Sequence, residues 1–209
     1  MISVIPQQSR WLQCSCAPAW LLKFLAENMP SISKNFKLPQ HWKWASRELY
    51  EAYGRICAYS CIYIPSSYGW TIDHFLPKSQ YPNQAYEWGN FRLALQKMNS
   101  YKGDNTDIVD PFAVQPGWFV LDFPSCLVKP GSGLVEDIKS RVEKTIKVLK
   151  LNDDDGLVQD RCDIIVMFSR GDITFLFLKQ NYPFLAAEVI RQGIQTTVNQ
   201  IFKMPRKYV

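Results

Sequence analysis

Apolar and polar positions alternate with a helical period near both ends of the chain. In residues 134–149 the apolar side chains recur every three or four positions, at Val135, Ile138, Val142, Ile146 and Leu149. This spacing is typical of an amphipathic helix. Similar patterns over residues 19–28, 42–59 and 184–202 predict further helices.

The middle of the chain carries short β-prone runs instead. Residues 61–64 and 70–72 are rich in β-branched and aromatic side chains, and residues 65–69, Pro-Ser-Ser-Tyr-Gly, have the composition of a hairpin loop. A polar loop over residues 76–87 and a helix over residues 91–100 follow. The predicted order is strand, strand, loop, helix, so the chain is predicted to be α+β, with a small ββα core between mainly helical segments.

Composition narrows the class of protein further. A length of 209 residues allows one compact domain or a small catalytic module with helical additions, and a net charge of +5 is compatible with a polyanionic partner such as nucleic acid. No secretory leader pattern accompanies the six cysteines, so we expect free thiols and a cytoplasmic location. No apolar stretch approaches the roughly 20 residues of a membrane-spanning helix.

Only two histidines, His41 and His74, are available to a mechanism that needs an imidazole near neutral pH. His74 follows Asp73 where the second predicted strand opens into a polar loop, a place where side chains can meet a substrate. A carboxylate suits a hard cation, and a neutral imidazole can take a proton from water. Taken alone, an Asp-His pair is more typical of a turn residue beside a hydrogen-bonded histidine.

Two asparagines accompany the predicted helix, Asn90 directly before it and Asn99 near its end. At about 100° per residue they lie on roughly opposite sides of the helix axis, so we expect different roles. Asn90 either caps exposed N–H groups or ties down the preceding loop. Asn99 can offer a side-chain oxygen to a cation.

The order and spacing of these residues resemble the ββα-metal, or HNH, endonucleases. The resemblance is carried by four stretches: IDHFLPKS (72–79), EWGNFRLA (87–94), NSYKGD (99–104) and DPF (110–112). It implies three parts: a helical N-terminal segment (1–56), an HNH ββα-metal catalytic module (57–112), and an extended and helical C-terminal part (113–209).

The resemblance also implies a role for each candidate site residue. Asp73 and Asn99 are expected to hold a divalent cation, Mg²⁺ or another such as Mn²⁺, and His74 is the expected general base. Asn90 is expected to steady the loop that carries the base, and Lys102 to lie near the substrate phosphates. Magnesium keeps several waters and uses few carboxylates, which suits so sparse a ligand set.

The sequence departs from the family at the structural zinc that many members bind with two Cys-x-x-Cys pairs. The corresponding positions are Cys57, Ser60, Leu95 and Met98, so three of four ligands are missing. Because structural zinc sites are closed and have four protein ligands, we expect no structural zinc. Leu95 and Met98 are expected to fill the space by packing.

Three functions remain open at this point: a DNA endonuclease, an HNH-type RNA nuclease, and a catalytically silent nucleic-acid-binding subunit. The joint presence of Asp73, His74 and Asn99 favours an active phosphodiester hydrolase. The size and helical flanks are similar to the HNH nuclease subunits of bacterial anti-phage systems such as Septu, a resemblance that implies an ATPase partner.

Overall fold

The computed structural model of the chain describes residue 43 and residues 46–198. The helix predicted over residues 19–28, the first part of the one predicted over residues 42–59, and His41 lie outside the described residues. Within the described part, short helices surround two small antiparallel sheets of two strands each. The predicted α+β class is therefore confirmed.

The described chain divides into two compact units. The site unit comprises residues 46–59 and 64–106, and the C-terminal unit comprises residues 60–63 and 107–198. The module boundaries implied by the resemblance, at residues 57 and 112, stay a prediction.

The described part of the site unit contains two strands and two α-helices: α1 (Ser46–Ala52), β1 (Trp70–His74), β2 (Phe91–Leu95) and α2 (Gln96–Lys102). Two short 3-10 helices, Pro82–Gln84 and Trp88–Asn90, lie between the strands. The strands pair antiparallel, with Trp70 opposite Leu95 and His74 opposite Phe91, and both α-helices pack against them. Four of the five β2 residues are buried, so even Arg92 on this strand lies inside the unit. The sheet and α2 together make a ββα arrangement.

The strand predicted over residues 61–64 is wrong, because β1 pairs with β2 instead. The amide groups of the segment bond elsewhere. The Tyr63 N–H donates to the Asn181 carbonyl at 2.9 Å, and the Ile64 N–H donates to the Arg55 carbonyl at 2.7 Å. A β-prone composition identifies extended chain but does not specify a pairing partner.

The helix predicted over residues 91–100 is wrong in its first half. Residues 91–95 form β2, and α2 begins only at Gln96. A short apolar run fits a buried strand or a buried helix equally well, and here the antiparallel partner decides. The helix ends before Gly103, whose φ of 52° favours glycine. The observed order is strand, loop, strand, helix.

The C-terminal unit contains a hairpin and four helices: β3 (Phe119–Asp122), β4 (Leu127–Pro130), α3 (Glu136–Val148), α4 (Asp155–Arg170), α5 (Phe175–Asn181) and α6 (Pro183–Arg191). The helix predicted over residues 134–149 is confirmed as α3. It packs against β4, while α6 packs against β3 and α5. Within the described ranges no helix is long and apolar enough to cross a membrane.

The helix predicted over residues 184–202 is interrupted after Arg191, where α6 ends, and residues 199–202 lie outside the described residues. Gly193 adopts a left-handed φ of 66°, and the Ile194 N–H returns to the Val189 carbonyl at 3.1 Å. Such a return bond across a left-handed glycine satisfies a carbonyl of the last helical turn and stops the helix.

The apolar stripe predicted at Ile190, Ile194, Val198 and Ile201 is consequently not the face of one helix. Ile190 lies on α6 and is 51% exposed, whereas Val198 is buried. Ile201 lies outside the described residues.

Candidate active site

Strand β1 ends with the two residues expected to carry the chemistry, Asp73 and His74. The register places Asp73 opposite Arg92 and His74 opposite Phe91. Asp73 is only 4% exposed and His74 only 7%. Buried polar side chains require hydrogen-bond partners, and the two residues find different ones.

One ring nitrogen of His74 is bonded to the backbone. Its Nε2 lies 2.9 Å from the carbonyl oxygen of Ala85, and because a carbonyl can only accept, Nε2 carries the proton. The basic lone pair of the neutral ring is then on Nδ1. Burial lowers the pKa of His74 to about 4, with the Ala85 hydrogen bond opposing this. The charges of Lys78 and Lys102 contribute to this lowering of the pKa. The imidazole is therefore neutral near pH 7.

Asn90 fastens the loop around this histidine. Its Oδ1 accepts from the Leu76 N–H at 2.7 Å, and its Nδ2 donates to the carbonyls of Leu76 and Gln84, both at 3.0 Å. Leu76 lies two positions after His74, and Gln84 directly precedes the alanine whose carbonyl holds the ring. One buried amide thus fixes both segments that position the imidazole.

The Asp73 carboxylate is held on both oxygens. Its Oδ1 lies 3.3 Å from the Lys102 ammonium, and its Oδ2 accepts from the Tyr59 hydroxyl. Burial raises the pKa of Asp73 above its usual range, while Lys102 and Tyr59 oppose that rise. The charge of Arg92, which lies opposite Asp73 on β2, also opposes the rise, so a second cation lies near the carboxylate besides Lys102.

Lys102 is 1% exposed and lies inside the site unit. Besides Asp73, its Nζ donates to the His74 carbonyl at 3.0 Å and to the Gly103 carbonyl at 3.2 Å. An ammonium has three N–H donors, and these three oxygens account for them. The cation expected near substrate phosphates is therefore buried against the strand end that carries Asp73 and His74.

Asn99 is half-buried on α2 and lies three residues before Lys102. Residues three apart share a helix face, so Asn99 lies about one turn from the residue that touches Asp73. The structure thus joins four predicted site residues in one cluster and places Asn99 beside it: Asp73, His74, Asn90 and Lys102.

Lys78 is exposed in the loop after β1, close enough for its charge to lower the pKa of His74. The loop is ordered by the Gln80 N–H, which donates to the Pro77 carbonyl at 2.9 Å. The Ser79 hydroxyl also donates to Asp104, just after α2, at 3.3 Å. These contacts hold an exposed cation near the imidazole.

Some contacts of the site were not predicted from the sequence. Lys78 belongs to the stretch that carries the resemblance, and its position next to the base was a usable signal. Arg92 also lies in one of those stretches, EWGNFRLA, whereas Tyr59 lies outside them. Tyr59 reaches Asp73 only through the fold, and Arg92 donates from within a strand to the carbonyls of Gly89 and Phe91.

The positions that the resemblance assigns to a structural zinc are occupied by packed side chains. The Cys57 thiol accepts from the Leu95 N–H at 3.4 Å, and Met98 is fully buried. Among the described residues, no three His, Cys, Asp or Glu side chains group as metal ligands. A cation at Asp73 would therefore depend on the Asn99 amide and on waters for other ligands. The expectation of no structural zinc stays a prediction.

The fold and these contacts define an α+β protein with a buried Asp-His pair at the end of a strand in a ββα unit. No family model matches the chain. The chain is similar to Septu protein PtuB of Bacillus thuringiensis, with 31% identity over 90 residues. That stretch covers 43% of this chain and 34% of the relative, so the chain spans about a third of the length of the relative it matches.

Proposed function

We propose that the chain is a metal-dependent HNH endonuclease that hydrolyses phosphodiester bonds in DNA. The observation that carries this proposal is the state of His74. Its Nε2–H is donated to a backbone carbonyl, Nδ1 is the basic nitrogen, and the ring is neutral near pH 7. A neutral imidazole fixed in one tautomer is equipped to act as a general base.

In the proposed reaction His74 Nδ1 takes a proton from a water aligned with the scissile phosphorus. The Ala85 carbonyl holds the opposite nitrogen, so the ring keeps its orientation and accepts the charge without moving. Asn90 acts as a positioning residue, because it bonds both segments around the ring. The products expected of the family carry 5′-phosphate and 3′-hydroxyl ends.

The donor set suits a divalent cation such as Mg²⁺. Asp73 and Asn99 offer the oxygen atoms that hard cations prefer, and a carboxylate retains acceptor capacity after receiving two hydrogen bonds. When bound, such an ion would stabilise charge on the phosphoryl and leaving oxygens. Asp73 and Asn99 are the residues proposed to hold it.

Lys78 is the cation that we propose to contact a substrate phosphate. It is exposed and its charge is felt at His74, whereas Lys102 is enclosed by three protein oxygens. A loop lysine beside the base can meet a phosphodiester without any rearrangement of the buried cluster. We therefore assign phosphate binding to Lys78 and a positioning role to Lys102.

The test is a cleavage assay with plasmid DNA, linear DNA and RNA, each with Mg²⁺ and with EDTA. We expect Mg²⁺-dependent cleavage of DNA by the parent chain and none by His74→Ala. Cleavage of RNA but not of DNA would instead support the alternative function, an HNH-type RNA nuclease. If the chain binds DNA but cleaves neither DNA nor RNA under any condition, the proposed activity is wrong. The chain would then be a catalytically silent nucleic-acid-binding subunit.

We further propose that the chain works in an anti-phage defence complex with an ATPase partner. The similarity to Septu protein PtuB supports this context. The test is co-purification of the tagged chain with the products of neighbouring genes, followed by mass spectrometry. Recovery of an ATPase in a fixed ratio supports the complex, and a chain that purifies alone under the same conditions contradicts it.

A further inference from the structure

The buried Asp73 carboxylate needs a nearby cation even when no metal is bound, and the Lys102 ammonium lies beside it. Asp73 is 4% exposed and its neutral donor, Tyr59, contributes no charge. A buried carboxylate without a cation is strongly destabilising, because desolvation is not compensated. Lys102, at 3.3 Å, supplies that charge from within the chain.

The three-oxygen cage around Nζ contains two carbonyls and one carboxylate. The His74 and Gly103 carbonyls are fixed by the backbone, at 3.0 and 3.2 Å. The Asp73 carboxylate is the only charged member of this cage, and it is also the proposed metal ligand. The ammonium and a divalent ion would therefore share one negative charge.

We infer that Lys102 is the resident counterion of Asp73, which makes the fold independent of a divalent cation and weakens cation binding by the free protein. The inference rests on the proposed function, since it assumes that Asp73 is a metal ligand. The pair is neutral before a cation arrives, so an incoming divalent ion meets no net negative charge there. A substrate phosphate would supply the missing charge, which couples cation binding to substrate binding.

The test replaces Lys102 by methionine, which retains an unbranched side chain and removes the charge. In EDTA, Lys102→Met is expected to have a lower Tm than the parent, because the buried Asp73 carboxylate loses its nearest cation, at 3.3 Å. Mn²⁺ should then bind Lys102→Met at least about tenfold more tightly than the parent, since a nearby like charge has been removed. Calorimetric titration with Mn²⁺ alone and thermal unfolding in Mn²⁺ or EDTA measure both effects.

Arg161→Met in the C-terminal unit is the matched control. Arg161 is also buried, but its guanidinium donates to the carbonyls of Cys126 and Leu151 at 2.8 and 2.6 Å. This variant should lose stability in EDTA and regain none with Mn²⁺ beyond what the parent gains. Equal Mn²⁺ rescue of both variants would overturn the inference.

The double variant Asp73→Asn/Lys102→Met separates lost charge from lost packing. If the unpaired carboxylate causes the instability, the double variant should be more stable in EDTA than Lys102→Met and should not respond to Mn²⁺. A double variant as unstable as the single one would overturn the inference. Should Lys102→Met not fold in EDTA, refolding with Mn²⁺ supports the inference and failure in both conditions overturns it.

The parent chain distinguishes this inference from the proposed nuclease function. If the parent cleaves DNA with Mg²⁺ and Lys102→Met binds Mn²⁺ no more tightly, only the role of Lys102 is wrong. If neither the parent nor Lys102→Met binds Mn²⁺ and the parent does not cleave, the proposed metal-dependent activity is wrong as well.

Discussion

The site unit and the C-terminal unit both bury charged side chains, but they satisfy those charges with different partners. In the site unit the Lys102 ammonium meets a side-chain carboxylate, that of Asp73, beside two carbonyls. In the C-terminal unit Arg161 donates only to backbone carbonyls, and the Glu188 carboxylate accepts from the Leu121 N–H at 2.8 Å. Glu188 also pairs with Arg191 across one helical turn.

The two kinds of partner, backbone groups and a side-chain carboxylate, differ in whether the partner can bind another cation in place of the first. A backbone carbonyl or N–H keeps its place as long as the fold persists, so Arg161 acts as a clamp between segments. A carboxylate can exchange one cation for another without any change of fold. Burial by itself therefore does not distinguish Lys102 from Arg161, whereas the identity of their partners does.

The largest effect should separate the two units by activity. His74→Ala is expected to lower the cleavage rate by roughly 10² to 10⁴, the usual loss on removal of a general base. Arg161→Met should cleave at the parent rate at temperatures where it is folded. Rates are measured on plasmid DNA with Mg²⁺, with circular dichroism to verify folding. Parent-like cleavage by His74→Ala would contradict the mechanism.

The next effect concerns the cation. Loss of a group outside the ligand sphere weakens metal binding roughly 10- to 100-fold. Asn99→Ala, which removes a proposed ligand, is expected to weaken Mn²⁺ binding at least as much. Its fold should persist, because Asn99 is only half-buried. Calorimetric titration in the presence of a non-cleavable DNA duplex checks this. Unchanged Mn²⁺ affinity would remove Asn99 from the proposed ligand set.

Substitution of Arg161 should change the stability of the chain and leave its activity unchanged. Arg161→Met leaves two buried carbonyls without their donor, and each unsatisfied group costs about 1–3 kcal/mol. Urea unfolding of the isolated chain measures the change in the free energy of unfolding. Leu178→Met, a volume-conserving change in the same unit, serves as the control and should cost less than about 1.5 kcal/mol. A similar loss in both variants would contradict the clamp.

Stability should also depend on pH through His74. Its pKa is about 4 in the folded chain and near 6.5 when unfolded, so between those values the unfolded state binds more protons. In EDTA the parent should lose stability as the pH falls from 6.5 towards 4. His74→Gln, which can still donate to Ala85, should lose less over the same window. Equal slopes in urea unfolding at each pH would contradict the assignment.

The smallest effect should fall on substrate binding. Lys78→Ala is expected to reduce the slope of log K against log salt for DNA binding by about one, the effect of one lost phosphate contact. Lys139→Ala, an exposed lysine on α3, is the control and should leave the slope unchanged. Both are measured in the His74→Ala background, so that DNA stays intact. An unchanged slope for Lys78→Ala would show that Lys78 does not contact a substrate phosphate.

Sequence alone was sufficient where the chemistry is local. It predicted the α+β class, the amphipathic helix found as α3, and a strand that opens into a loop at Asp73 and His74. It also offered loop anchoring as one role for Asn90, and the contacts to Leu76 and Gln84 are of that kind. Periodicity and residue chemistry of this type are determined by neighbours along the chain.

The tertiary structure decided what depends on partners distant in sequence. Residues 91–95 became a strand because β1 lies beside them, and residues 61–64 did not because their amide groups bond elsewhere. The resemblance predicts that Lys102 lies near the substrate phosphates, and only the fold shows that its ammonium is buried against Asp73. Propensity along the chain does not specify pairing or burial, since both depend on which distant groups can satisfy a hydrogen bond or a charge.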